Sequence, residues 1–406
     1  MNLEQLAALR TPEGSAALDA AARLAGGDPL SAAAALRSGG MPPGLASAAL
    51  TQAELRRRAV GKFGPAAAGM FLTRAGLEQA TRGVVAARRA DRLRAAGVTR
   101  LADLGCGLGA DALAAARAGI RVYGVEADPL TAAMAAANAE AAGLADRFTV
   151  ECGDATAFDV SGVDGVFCDP ARRKAGTGRR IFDPNAYSPP WDFVTGLAER
   201  VPRTVVKVAP GLDHALIPAG AEAEWVSVDG DLVEAALWCG ALAEVPRRAT
   251  ILKEGPPLNA FGRGRAPCYQ LTGSGREEAA VGPVRRYLYD PDAAVVRAHL
   301  VAELAADLDA TIADPSIAYL YADHPTATPF ARCLEVTDTL PFSLKRLRAL
   351  LRERGVGRVE ILKRGSALEP EKLRRDLRLA GGEAASLVLT RVAGAPTVLV
   401  CRPVAA

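Results

Sequence analysis

The chain has 406 residues, half of them apolar and 23% charged, an ordinary globular balance with material for roughly two or three domains. Its 49 basic and 46 acidic residues leave a formal charge of +3, which excludes a histone-like polycation but says nothing of local patches. Seven dispersed cysteines with no CxxC pair, and only three histidines, exclude a metal-site spacing and read as reduced thiols in the cytoplasm. The first 22 residues carry acids and no apolar core, unlike a secretory signal, and no run reaches the ~18 apolar residues of a membrane-spanning helix.

Residues 1–50 are rich in Ala and Leu with Gly and Pro punctuation, and predict short helices. From 52 to 96 the pattern is helical and basic: Arg56, Arg57, Arg58, Lys62, Arg74, Arg82, Arg88, Arg89, Arg92 and Arg94 are opposed only by Glu54, Glu78 and Asp91. Between 98 and 168 apolar strands (98–104, 121–125, 148–152, 163–168) alternate with Ala-rich helices (110–118, 129–142). Asp128 and Pro129 open the second helix as N-cap and first helical residue. This alternation predicts a parallel, doubly wound α/β sheet. A further strand is expected at 204–209, then a hairpin of 224–228 with 232–238 that closes one edge. The stretch 254–283, rich in Gly, Pro and charge, reads as an irregular connection, and Asp290-Pro291-Asp292 as the cap of a helix reaching about Leu308. From Cys333 the order is strand, helix, strand, helix and two strands, a small α+β module. Within it, residues 343–379 hold twelve basic side chains against five acidic ones, with Arg348/Arg352 and Arg374/Arg378 at helical spacing. Such a stripe suits phosphate contacts, or is simply a solvated face.

The chemistry concentrates at the strand ends. Asp103-Leu104-Gly105-Cys106-Gly107-Leu108-Gly109 ends the first strand and opens the first helix, where glycines permit a tight turn and close backbone approach to a ligand. Glu126, ending the second strand, suits a ribose diol, and Asp154, just past the third, an adenine amino group. Gly105 to Ala110 also satisfies the dinucleotide pattern GxGxxG/A. Three features favour S-adenosylmethionine over NAD(P): Asp103 two residues before the first glycine, the third acid Asp154, and an Asp-Pro dipeptide after the fourth strand. Cys106 reads as a small packing residue, with no paired base to make it a nucleophile.

These residues resemble the class I S-adenosylmethionine-dependent methyltransferases, whose glycine motif, ribose acid and adenine acid fall on Asp103–Gly109, Glu126 and Asp154. From about residue 55 to 403 the chain is similar to bacterial members that end in a THUMP-like domain. The likeness rests on segments 71–82, the glycine loop, 169–173, 182–184, 207–211 and the last 70 or so residues. It implies a Rossmann-like methyltransferase sheet with a helical N-terminal region and a small C-terminal α+β domain. The divisions are 1–90, 91–245 for the methyltransferase domain, a connection over 246–330, and 331–406. It implies S-adenosylmethionine as cofactor, held by Thr73, Asp103, Gly105, Cys106, Gly107, Gly109, Glu126, Ala127, Asp154 and Ala155, with the segment around Phe71 and Thr73 over its methionine end. Thr73 read alone is equally a helix cap.

In amino-methylating members a D/N-P-P-aromatic motif follows the fourth strand and holds the target amine. Here Asp169-Pro170-Ala171-Arg172 stands in its place, without the aromatic. Asp169 and Pro170 would position the acceptor, and Arg172, Arg173 and Lys207 would hold a base or phosphate. THUMP domains deliver RNA, chiefly tRNA, so the resemblance implies methylation of a base nitrogen in RNA, tRNA first, with no metal and no membrane partner. The competing readings are an NAD(P)-linked oxidoreductase, an RNA-binding protein with an inactive methyltransferase fold, and a methyltransferase of small molecules or proteins. Trp191 is expected to pack within a loop rather than face substrate.

Overall fold

The structure, a computed structural model, describes residues 1–170, 189–253 and 267–404. Arg172 and Arg173, and the 182–184 segment, lie outside the described residues. The described chain divides into two compact units, the first built mainly from Met1–Glu222 with Ala235–Glu244, the second from Ala223–Glu234, Val245–Ile251 and Cys268 onward.

The first unit opens with helices α1 (Leu3–Leu9), α2 (Pro12–Leu24), α3 (Pro29–Ser38) and α4 (Pro43–Phe63). Their starts are written in the sequence: Asn2, Thr11 and Asp28 accept hydrogen bonds from first-turn N–H groups, and α2, α3 and α4 each carry a proline at the start. Next come α5 (Arg74–Gln79), α6 (Gly83–Ala95) and the alternating series β1 (Arg100–Leu104), α7 (Ala110–Arg117), β2 (Arg121–Glu126), α8 (Pro129–Ala141), β3 (Phe148–Cys152) and β4 (Gly165–Cys168). After α9 (Trp191–Arg200) and β5 (Thr204–Val208), the chain passes through β6 (Glu222–Val228) to β7 (Asp231–Trp238). The strand order in this unit is β3-β2-β1-β4-β5-β7, parallel through β5 and antiparallel between β5 and β7. This is the expected doubly wound arrangement, and the order reverses between β1 and β4, where sheets of this kind bind ligands beyond the strand ends. Helices α1, α2 and α4 share one apolar core with the sheet: Leu6, Leu9, Ala49 and Leu72 belong to the same buried cluster as Leu113, Met134 and Phe167.

The second unit holds β6 and the first half of β7 with β8 (Arg247–Leu252) and β9 (Cys268–Gly273), in the order β7-β6-β8-β9. The hairpin is therefore followed by β8 and then β9, and does not close an edge. Cys268–Gly273 is a strand rather than part of an irregular connection; its short Tyr269/Leu271 alternation is masked by Gly and Pro on either side. After β10 (Tyr287–Pro291), Asp292 caps a helix as expected, but the helix stops early. Helix α10 (Ala293–Arg297) and α11 (Val301–Asp307) are separated by His299 at φ 60°, a left-handed turn with no glycine to announce it. Strands β11 (Thr311–Ile312), β12 (Leu320–Ala322) and β13 (Ala331–Pro341) lead to α12 (Leu344–Glu353), β14 (Val356–Lys363), α13 (Pro370–Leu377), β15 (Glu383–Val392) and β16 (Ala395–Pro403). They form a seven-stranded sheet, β11-β12-β10-β13-β16-β15-β14, with β14 at an edge and parallel to β15. Leu347, Leu351, Leu373 and Leu377 pack on Leu387, Leu389, Val398 and Val400, which leaves the arginines of α12 and α13 on the outside.

Candidate active site

Strand register gathers the acids. Asp103 pairs with Gly124 on one side and with Phe167 on the other. Side chains two residues apart point to the same face, so Asp103, Glu126 and Asp169 share one face at the carboxyl ends of β1, β2 and β4. Cys168 pairs with Val206, so Lys207 on β5 stands one step on, beside Asp169.

The glycine loop is held open by its backbone. Gly105, Gly107 and Gly109 have φ of 87°, 55° and 83°, left-handed values that a side chain would strain. A Cβ on Gly109 would lie 2.8 Å from the Phe148 ring, and one on Gly105 would lie 3.2 Å from the Asp169 carbonyl oxygen. The carboxylate of Glu126 accepts from the N–H of Gly107 (3.0 Å) and of Asp128 (3.0 Å), which fixes it across the loop with lone pairs to spare. Asp103 is 1% exposed, and among the described residues neither of its carboxylate oxygens has a hydrogen-bond partner. Burial pushes its carboxyl well above the usual range, with the nearby Asp111 and Asp169 adding and Arg89 and Lys207 opposing. Asp154 is exposed and caps a short turn; the Thr156 N–H holds its carboxyl below the usual range. Ala127 and Ala155 directly follow Glu126 and Asp154 at the same strand ends. Cys106 is buried, and burial raises its thiol well above the ordinary value, so it packs and does not react.

Thr73 caps α5 by accepting from the Gly76 N–H at 2.9 Å. The same helix start lies against the glycine loop: a Cβ on Gly76 would meet Leu108 at 2.6 Å and Thr73 Oγ1 at 2.8 Å. The preceding extended residues are clamped by two buried amides. Asn138 accepts from the Phe71 N–H (2.6 Å) and donates to the carbonyls of Phe71 (3.1 Å) and Leu108 (3.0 Å). Gln52 accepts from the Leu72 N–H (2.9 Å) and donates to its carbonyl (2.8 Å). Neither residue stands out in the sequence, because a buried amide in an Ala-rich helix carries no local signature.

Asp169 Oδ2 accepts from Lys207 Nζ at 2.7 Å, and Lys207 also donates to Thr81 Oγ1 at 3.0 Å. Among the described residues Asp169 Oδ1 accepts no hydrogen bond. Pro170 is buried beside it. Trp191 is 8% exposed and begins α9, so it packs at a helix start rather than in a loop. His214 opens a short 3-10 turn after β5.

Several cations of the basic 52–96 region are turned inward. Arg92 forks onto Glu222 at 2.6 and 2.7 Å and stacks over Trp238, Arg89 pairs with Asp111 over Phe167, Arg56 donates to the Met70 carbonyl, and Lys62 to that of Leu77. Ala-rich helices offer little apolar bulk, and long cationic stems supply it. Arg57, Arg58, Arg74 and Arg94 remain exposed.

A Rossmann-like sheet with a glycine cradle, an acid fixed across it and a buried carboxylate without a partner among the described residues is the layout of a nucleoside-binding methyltransferase. Sequence comparison agrees with that class. A methyltransferase domain model matches residues 101–173, a model described as THUMP domain-like matches 331–403, and one described as a domain of unknown function matches 2–59. An uncharacterized S-adenosylmethionine-dependent methyltransferase of Mycobacterium tuberculosis is 35% identical over 369 residues, 86% of this chain and 95% of the relative. The crystal structure assigned to a methyltransferase from Porphyromonas gingivalis W83 superposes with a TM-score of 0.70 over 90% of this chain and 92% of that one. At 21% identity the second likeness carries the fold alone. The chain belongs to the S-adenosylmethionine-dependent methyltransferases, which decides the two readings of its glycine pattern against NAD(P).

The residues present fit that cofactor. Asp103 would take its ammonium group, Glu126 its ribose hydroxyls, and the glycine loop would lie against it.

Proposed function

We propose that the enzyme methylates a nitrogen of an RNA base, with tRNA the first candidate, in the cytoplasm. One observation carries the chemistry: at the end of β4, Asp169 stands beside the glycine loop with one carboxylate oxygen held by Lys207 and the other, among the described residues, accepting no hydrogen bond. S-adenosylmethionine supplies an electrophilic methyl group on its sulfonium. The protein supplies position, which accounts for much of the acceleration in a direct displacement. Asp169 Oδ1 and the Pro170 carbonyl accept hydrogen bonds from the amine and hold its lone pair toward the cofactor site. The aromatic that stacks the base in related motifs is absent at Arg172, so the base needs another wall.

The RNA reading is supported by the second unit. A cleft of about 560 Å³ is lined by Arg358, Arg374 and Arg378 along β14 and the end of α13. The likeness of 331–403 to THUMP domains points to the same class of substrate.

Nucleoside mass spectrometry of RNA from a deletion strain is the test. One methylated nucleoside should disappear and return when the purified enzyme and labelled S-adenosylmethionine are added to that RNA. An unchanged nucleoside profile with no transfer to RNA in vitro overturns the reading.

A further inference from the structure

Strand β5 is buried at every residue, and all but Thr204 and Lys207 are valines. Lys207 is 7% exposed. An ammonium there costs several kcal/mol of desolvation, and an ion pair recovers that only with good geometry and further hydrogen bonds. A Met or Leu would fill the site without the cost, so packing alone does not account for the lysine.

The geometry around it is specific. The parallel register of β4 and β5 sets Asp169 and Lys207 side by side, and Nζ bonds Oδ2 rather than Oδ1. It also bonds Thr81, which lies between α5 and α6, so two different parts of the first unit hold the ammonium. Lys207 acts on Asp103 of β1, as do Asp111 of α7 and Arg89 of α6, and on Lys62 of α4, as do Arg82 and Glu78. Burial, with Lys207 and Arg82 adding, pulls the Lys62 ammonium down to about 8.

We infer that Lys207 is a positioning residue: it clamps Oδ2 of Asp169, with Thr81 bracing the clamp, so that Oδ1 is aimed at the acceptor amine. This rests on the reading of Asp169 as the amine holder and replaces direct substrate contact as the role of Lys207. In the transfer the nitrogen lone pair forms the N–CH₃ bond as the C–S bond breaks and its electron pair returns to sulfur. The proton then leaves the alkylated nitrogen for water. Lys207 takes no part in that exchange; it fixes the direction of the lone pair.

The test uses the full chain with RNA from the deletion strain as acceptor. K207M should lower kcat at least tenfold while KM for S-adenosylmethionine and the affinity for S-adenosylhomocysteine stay within about threefold. K207R should recover part of the loss, and T81V should show a smaller loss of the same kind. A crystal structure of K207M should show the Asp169 carboxylate rotated from its native rotamer beside an unmoved glycine loop. Wild-type kcat in K207M, or a loss confined to KM, overturns the proposal. If the wild-type enzyme transfers nothing to RNA, the functional reading falls, and the K207M structure alone decides the clamp: an unmoved Asp169 carboxylate overturns it.

Discussion

Asp103 is the residue whose environment is least comfortable without a ligand. Its folded-state pKa is raised, so the folded chain keeps a proton on it at pH values where the unfolded chain has lost one. Its effect on stability is therefore most favourable below the ordinary carboxylate range and is lost as pH rises through the shifted value. A ligand ammonium reverses the balance by favouring the carboxylate. Binding of S-adenosylhomocysteine should then release a proton and tighten as pH rises toward that value. Calorimetry in buffers of different ionisation enthalpy measures the release directly. D103N should abolish the release and weaken binding by about tenfold or more, the worth of one charge-assisted hydrogen bond.

At the scale of single elements, the end of α13 departs from habit. The helix stops at Leu377, and Arg378 adopts the left-handed C-cap conformation (φ 48°, ψ 54°) that glycine usually supplies. It lines the arginine cleft with Arg374, so the two residues predicted from helical spacing share one cleft, although Arg378 is not helical. Strand β14 contributes Arg358 next to a register shift, at Gly357, where a Cβ would lie 1.7 Å from the Gly381 carbonyl oxygen. R378G should therefore raise stability by roughly 0.5–1 kcal/mol in denaturant titrations and at the same time weaken RNA binding.

The alternating strands and helices of 98–168 were legible because each has its own period, cap or glycine. The break at His299 and the turn at Arg378 were not, because nothing local marks a left-handed residue that is not glycine. The inward arginines were hidden for a different reason. Arg92 and Glu222 are 130 positions apart, and a basic helix reads the same whether its charges meet water or a distant carboxylate.

Over the whole molecule, the +3 balance conceals an uneven use of charge. In the first unit, cations such as Arg56, Lys62, Arg89, Arg92 and Lys207 bond to its own carbonyls and carboxylates. In the second unit several of the twelve are tied internally, as Arg348 is to the Asp376 carbonyl, Arg364 to Asp290 and Arg374 to Glu371, while Arg358, Arg374 and Arg378 line an open cleft. Replacing these three by Gln should weaken RNA binding and reduce the slope of log affinity against log salt by about two, at roughly 0.7 per phosphate contact on a single strand. Affinity for S-adenosylhomocysteine should not change. Asp103, Glu126, Asp154 and Asp169 could be named from strand ends alone, whereas Thr81, Gln52 and Asn138 emerge only from contacts distant in sequence.

Residues 70–73 run extended with no neighbouring strand among the described residues; the side-chain amides of Gln52 and Asn138 make the bonds that a flanking strand would otherwise make. The wall beside the glycine loop is thus a one-stranded sheet with borrowed edges. One edge comes from Gln52 on α4 and the other from Asn138 on α8, beyond the 1–90 division, so the amino-terminal region and the methyltransferase sheet belong to one compact unit. A chain shortened to begin after α4 would leave the amide N–H and carbonyl of Leu72 buried without those partners, and would lose the wall together with the helices.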